Sequence, residues 1–417
     1  MYKYSLSLLA TLVTFSQPAI AQTITPAPDG VGTLIQYRGN TYNIGGGTQA
    51  GSNLFHSFQE FGLNPNEIAN FLSNPDIQNV VGRVVGGNPS VIQGLIQLTG
   101  GESNLFLMNP SGWVFTDGAS LDVPGSFGVT TANRIGFGSS EFNGTGANDF
   151  ETLIGSPTSL IFDTTQPGAI INAADLSVDN GSLWMVGGSV VNTGSITAPN
   201  GAIALAAVPG ESQVRLTHDG MALGLVLDAV PAGNLSSDAP IGLKPEELPR
   251  YLTGGSEVGN ATGVELGSDG QLYLVGSAMR LEQGDVVIAG EINAAEVQLM
   301  AAGKVTPTNP GLVQGNDVTV VRYPEAGGTN SLSIIDSHAD NAQTLLYGGA
   351  AGTIATIVND NEDGIGAITE TLAKSDALLD GMSITAEGNE GNFWLGNTWV
   401  TPETIEDYQS QLAKWSV

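Results

Sequence analysis

Asn104-Leu105-Phe106-Leu107-Met108-Asn109-Pro110-Ser111-Gly112-Trp113-Val114-Phe115-Thr116-Asp117-Gly118-Ala119-Ser120-Leu121-Asp122-Val123-Pro124-Gly125-Ser126-Phe127 is the stretch whose reading decides the fold. Its three β-prone runs, 105–108, 113–116 and 120–123, are separated by the turn formers Asn-Pro-Ser-Gly and Asp-Gly. The same texture precedes it, with short Val/Ile/Leu runs between 80 and 98 broken by Gly86-Gly87, Gly94 and Gly100-Gly101. Strands this short suit the rungs of a solenoid, which need only a few residues per face, better than the longer strands of a sandwich. The expected class is all-β: a right-handed parallel β-helix with small extra-helical insertions and a C-terminal helix.

Composition agrees and excludes other classes. The 57 glycines, with few Lys and Arg, favour strands and tight turns over helices. A formal charge of −29 repels phosphate backbones and anionic lipid, which sets nucleic-acid binding aside. The chain has no cysteine, so disulfides and thiolate metal sites are impossible. Lys3, an apolar run over 6–15 and Ala19-Ile20-Ala21 read as a secretory signal spanning 1–21. No later apolar run approaches the ~18 residues of a transmembrane helix.

Four segments are expected: the signal at 1–21, a first domain at 22–165, continuing β-helix at 166–323 with an insertion at about 228–263, and a C-terminal region at 324–417. In the first domain, 33–37 and 41–44 flank Arg38-Gly39-Asn40 as a hairpin. Leu54, Phe55, Phe58 and Phe61 make an apolar cluster around His56, which has no identifiable catalytic partner and is expected to be a satisfied or half-exposed strand histidine. Residues 65–72 are expected to form a short helix starting at Pro65.

An internal repeat supports the solenoid. Residues 171–186 align over 191–206 at a shift of 20, setting Asn172 on Asn192, Leu176 on Ile196 and Leu183 on Ile203. One coil of about twenty residues then recurs, and Asn172 with Asn192 is expected to form a rung of an asparagine ladder. Residues 292–299 resemble 171–178, which suggests that the coil resumes after the insertion. Near the C-terminus, 370–379 looks helical. Thr401, Pro402 and the shared face of Ile405, Tyr408, Leu412 and Trp415 predict a final helix that caps the solenoid's open end.

No hydrolase elbow, zinc-protease motif, phosphate loop or dinucleotide fingerprint occurs. His56, His218 and His338 lie far apart in sequence, and no cofactor is expected. Asn359, Asn361, Asp363, Gly364 and Glu370 fall at calcium-loop spacing, but Asn stands where Asp belongs. Asp175, Asp179 and Glu296 are the acids that a β-helical polysaccharide enzyme would draw on, although no spacing pairs an acid with a base.

Residues 53–58, 81–96, Asn104-Leu105-Phe106-Leu107-Met108-Asn109-Pro110-Ser111-Gly112 and 125–132 resemble, in order and spacing, the filamentous haemagglutinin N-terminal domain of two-partner secretion exoproteins. That resemblance implies export through an outer-membrane barrel transporter with periplasmic domains, with Asn104, Asn109, Pro110, Ser111 and Gly112 as candidate recognition residues. It also implies a secreted or cell-surface product that passes the periplasm in transit and acts as an adhesin-like structural protein, with a cell-surface or glycan ligand. A polysaccharide-active enzyme and a calcium-stabilised matrix component are the alternatives. The family's second motif, Asn-Pro-Asn-Leu, has only partial counterparts at 64–67 and 74–77. Ten to fourteen coils at ~4.8 Å each would make a stub of roughly 50–65 Å.

Overall fold

The computed structural model describes residues 23–217, 222–230, 234–235, 264–268, 272–274, 279–325, 328–374 and 379–415. The expected signal, His218 and most of the insertion at 228–263 therefore lie outside the described residues.

Each coil runs through three strands, one per face. The first face carries β1 (Asn53–Phe61), β2 (Asn79–Val84), β3 (Asn104–Met108), β4 (Phe127–Thr130), β5 (Leu183–Gly187), β6 (Ser195–Ala207), β7 (Ile292–Ala301) and β8 (Asp317–Arg322). These strands pair in parallel in that order. A second face holds Ser90–Ile92, Trp113–Phe115, Ala169–Asn172, Ser189–Asn192, Val286–Ile288 and Val305–Pro307. The third begins with the expected hairpin, Thr33–Arg38 and Thr41–Gly46, and continues through Ile68–Leu72, Leu95–Thr99 and Ser120–Asp122. This is the parallel β-helix read from the sequence. Its first face has eight parallel strands among the described residues, so the stack is roughly 35 Å long, shorter than the expected stub.

Inside the coil, Val80, Leu105, Phe127, Leu183, Ile203 and Val297 stack in register into one core. The register of the repeat is as aligned, with Ile171 opposite Val191 and Leu183 opposite Ile203. The later alignment is corrected: Val287 lies opposite Val191, and Ile292 lies opposite Ile196 rather than continuing the row of Ile171. Residues 65–72 are not helical. Alternation sends Ala69 and Phe71 inward from a strand, and its pairing with 41–44 and 95–99 supplies the backbone bonds that override local propensity. The preceding Asn64-Pro65-Asn66-Glu67 is a turn, with Asn66 at φ +67° and the Glu67 carboxylate accepting the Asn64 N–H at 2.8 Å.

The first face is apolar on both sides, as a covered parallel sheet requires. Its outer side is roofed by an antiparallel sheet from Arg134–Phe137, Ser140–Asn143, Ser159–Phe162, Ser212–Thr217 and Ala222–Ala229, which leaves the coil in two excursions the sequence reading missed. Phe137, Phe142, Leu160 and Phe162 pack there on Phe55, Phe106, Met108 and Trp184. Gly128 lies between Phe106 and Trp184, and a Cβ on it would come 2.1 Å from the Trp184 ring. The third face has no such roof among the described residues, and Leu34, Tyr37 and Leu72 are exposed on it.

After β8 the architecture changes. β9 (Asn330–Asp336), α1 (Ala342–Tyr347), β10 (Thr353–Val358), α2 (Gly364–Lys374) and β11 (Leu379–Thr385) form a small α/β unit with strand order β10-β9-β11, all parallel. β10 joins it antiparallel to β8. Leu346 of α1 packs into the solenoid core, whereas Ile365 and Ile368 of α2 pack into the outer layer, so the helices cover opposite sides of the sheet. The helix expected at 370–379 thus starts earlier, and Leu379 begins a strand. The final helical turns, Thr404–Tyr408 and Gln409–Leu412, do not cap the solenoid. Thr401 Oγ1 accepts the Thr404 N–H at their start, and Trp415 Nε1 donates to Thr369 Oγ1 of α2 at 2.9 Å. The element plugging the core is α1, where burial pushes the Tyr347 hydroxyl up to about 12.

Candidate functional site

Residues 104–116 of the signature are buried. Asn104 belongs to a ladder the sequence reading missed: its Nδ2 donates to Asn79 Oδ1 (2.9 Å), and Asn79 Nδ2 donates to Asn53 Oδ1 (2.9 Å). Asn53 ends the row by donating to the carbonyls of Leu153 and Gly155, while Asn104 Oδ1 accepts the Ser126 N–H. The signal was available, since Asn53-Leu54-Phe55 and Asn104-Leu105-Phe106 repeat the same tripeptide. Farther along, Asn172 Nδ2 donates to Asn192 Oδ1 at 2.8 Å. That second row ends where Ile288 lies opposite Asn192.

Asn109, fully buried, holds the corner after β3. Its Nδ2 donates to the Asn88 carbonyl (3.0 Å) and to Ser90 Oγ (2.9 Å), and its Oδ1 accepts the Ser111 N–H (3.0 Å). Pro110 is packed under the neighbouring excursion, where a Cβ on Gly144 would touch its ring. Gly112, at φ +124°, donates its N–H to Asn109 O and accepts from Ser90 N. Trp113 then enters the core, with Nε1 donating to Thr130 O at 3.1 Å. In the folded chain every side-chain polar atom of Asn109 is spent inside the solenoid, its amide on the preceding coil and its carbonyl on its own turn.

Near the N-terminal end, buried Arg83 pairs with Asp29 (2.8 Å) and donates to Ser57 Oγ and to the carbonyls of Asn143 and Gly146. Burial opposes ionisation of Asp29, but hydrogen bonds from Ser57, Arg83 and Val31 hold its carboxyl below the usual range. His56 departs from expectation: it is fully buried, and neither ring nitrogen has a hydrogen-bond partner among the described residues. Phe58 and Phe71 flank it, and desolvation pushes its pKa down to about 4.

The other candidates are not brought together. Asp175 accepts from Ser195 Oγ (2.7 Å) and Glu296 from Gln298 Nε2 (3.0 Å), on different parts of the stack. Residues 359–363 connect a strand to a helix, not helix to helix, 364–370 already belong to α2, and Glu362 is turned onto the Asn359 N–H at 2.8 Å. Among the described residues no group of three His, Asp or Glu is placed to hold a metal.

Comparison with known proteins separates the same two parts. A family described as TPS secretion domain matches residues 20–237, and a domain of unknown function (DUF4347) matches 332–417. No curated protein matches significantly. Among solved structures, the HMW1 secretion domain from Haemophilus influenzae overlays with a TM-score of 0.38 at 16% identity, covering 89% of this chain and 85% of that one. A filamentous hemagglutinin secretion domain overlays at 0.31 and 17%, covering 74% and 98%. Both overlays are loose. The secretion-domain match spans more than half of the sequence, and the chain belongs to the TPS secretion domain family of two-partner secretion exoproteins.

Proposed function

We propose that this chain is exported across the outer membrane by a cognate barrel transporter with periplasmic domains, which reads the signature at Asn104 and 109–112 before folding. Outside the cell it serves as an adhesin-like structural protein at the surface or in the medium. The observation that carries this reading is the burial of the Asn109 corner, with its side-chain polar groups consumed inside the coil. Such a corner is open to a partner only while the chain is extended. Folding then withdraws it, and burial of each new coil on the last opposes return through the pore. Lack of cysteine keeps the chain in transit free of covalent locks.

The test is to delete 104–127 and to substitute Asn109→Ala, then follow surface and medium levels with and without the transporter. Loss of transporter-dependent export by Asn109→Ala, with refolding of the purified variant preserved, is the expected result. Export that continues unchanged without the transporter would defeat the reading.

A further inference from the structure

Two faces of the solenoid are covered and the third is open. The antiparallel roof covers the first, and Val264, Leu272 and Leu281 pack on Val91, Val114 and Val287 of the second. Among the described residues no element packs on the outer side of the third. There, alternation along Thr33–Arg38, Thr41–Gly46, Ile68–Leu72 and Leu95–Thr99 sets three rows in register. The central row is all amide, Gln36, Asn43, Asn70 and Gln97. Asn70 Nδ2 donates to Asn43 Oδ1 (3.1 Å) and Asn70 Oδ1 accepts from Thr99 Oγ1 (2.9 Å), which orders it. Arg38, Thr41, Ile68 and Leu95 run along one side. Leu34, Gly45, Leu72 and Thr99 run along the other, where Leu72 leans over Gly45 and a Cβ on that glycine would lie 3.5 Å from the leucine methyl.

The charges around these rows are arranged asymmetrically. Residues 23–217 hold four cations, of which Arg83, Arg134 and Arg215 pair with Asp29, Asp163 and Asp228. Arg38 is exposed and has no ion pair among the described residues. The three rows contain no acid. Glu67, which leads into Ile68–Leu72, is occupied by the Tyr37 and Tyr42 hydroxyls (3.4 Å each) and the Asn64 N–H (2.8 Å). The first carboxylate comes one strand farther on, at Asp122 opposite Gln97. Beyond the row of Leu34 and Leu72, the rim carries exposed Asp76 and Glu102. In a chain of charge −29, this acid-free patch is where two like molecules repel each other least.

We infer that this face binds a second copy of the chain, face to face about a twofold axis that runs along the amide row. Such a rotation lays the row on itself, and an amide suits its own kind because it both donates and accepts. It also exchanges the flanks. Ile68 of one copy then meets Leu72 of the other, and the Arg38 stem lies on Leu34 with its guanidinium directed toward the acidic rim. Asp122 would face its own counterpart and so bounds the patch. Four strands at ~4.8 Å and five residues at ~3.3 Å make a patch of roughly 20 by 17 Å, and a pair buries on the order of 1,000 Å², the lower end for a specific contact. A contact this small dissociates on dilution, so the stability of the dilute monomer does not depend on it. The inference stands apart from the export reading, since association is measured on folded protein.

The experiment is sedimentation velocity of the purified full chain at rising concentration, up to about 300 µM at physiological salt. A reversible monomer–dimer equilibrium is expected. Leu34, 61% exposed, is the position to change. Leu34→Arg faces the partner's Arg38 and should weaken the pair roughly tenfold or more, whereas Leu34→Glu should hold or tighten it. Net charge alone predicts the reverse order in so acidic a chain, so the two variants together read the geometry. Asn70→Asp faces itself across the axis and should also weaken the pair roughly tenfold. It is the decisive variant if either Leu34 variant does not fold. A monomer at every concentration would overturn the proposal and leave the face to another occupant, such as a glycan. A dimer that Leu34→Arg weakens no more than Leu34→Glu, or that Asn70→Asp leaves intact, would overturn it as well.

Discussion

The solenoid from β1 to β8 and the α/β unit from β9 to β11 share one continuous sheet but are built on opposite rules. In the solenoid every strand lies parallel to its predecessor on the same face, so each coil is templated by the coil before it and the asparagine rows repeat the same bond. In the α/β unit the order reverses about β9, the junction at β8 is antiparallel, and no rung is copied. The solenoid extends by repetition; the α/β unit ends it by reversing the strand order.

The comparison breaks most sharply at α1, where the unit plugs the solenoid. Leu346→Ala should cost about 2–5 kcal/mol in denaturant unfolding. Hydrogen exchange should quicken in β7 and β8 before β2 and β3. Uniform loosening along the stack would mean that α1 is not a local plug.

His56 tests the other end. Its folded pKa, about 4, lies below the ordinary 6.5, so the unfolded chain binds the extra proton between those values. The stability it contributes is complete above about pH 6.5 and is lost as pH falls toward 4, in total about 3 kcal/mol by linkage. His56→Phe should flatten that part of the stability–pH curve, and an unaltered slope would place the titration elsewhere.

Within the ladder, Asn79→Ala strands Asn53 and Asn104 without one partner each, and about 1–3 kcal/mol should be lost on thermal melting. On the unroofed third face, Leu34→Ser should change stability by no more than about 0.5 kcal/mol. A large loss there would reveal a cover that the contacts do not contain.

How much of this was legible follows from the same contrast. Asn172 and Asn192 sit in consecutive coils, so a simple shift found both their pairing and the register of Leu183 on Ile203. The resemblance of 292–299 to 171–178 misled because Ile-Asn-Ala-Ala suits more than one place in a coil, and pairing with β6 set the true register. Residues 65–72 carry a helix-start signal at Pro65, but Phe71 gains more by entering the core from a strand. The α/β unit was hidden because α1 has only six residues, too few for a helical period to emerge. The stacking of His338 on Trp394 was also out of reach, since Trp394 arrives from 56 residues away. Likewise, that His56 lacks partners is a property of Phe58, Phe71 and the packed first coils, not of its own neighbours in sequence.

The central claim is that the signature is readable before folding and withdrawn after it. The most direct measurement is binding of the transporter's purified periplasmic domains to this chain in two states: freshly diluted from denaturant, and fully refolded. The account predicts binding to the unfolded chain that decays at the rate of folding and is lost with Asn109→Ala. Equal binding to the refolded protein would contradict it, since Asn109 is fully buried there.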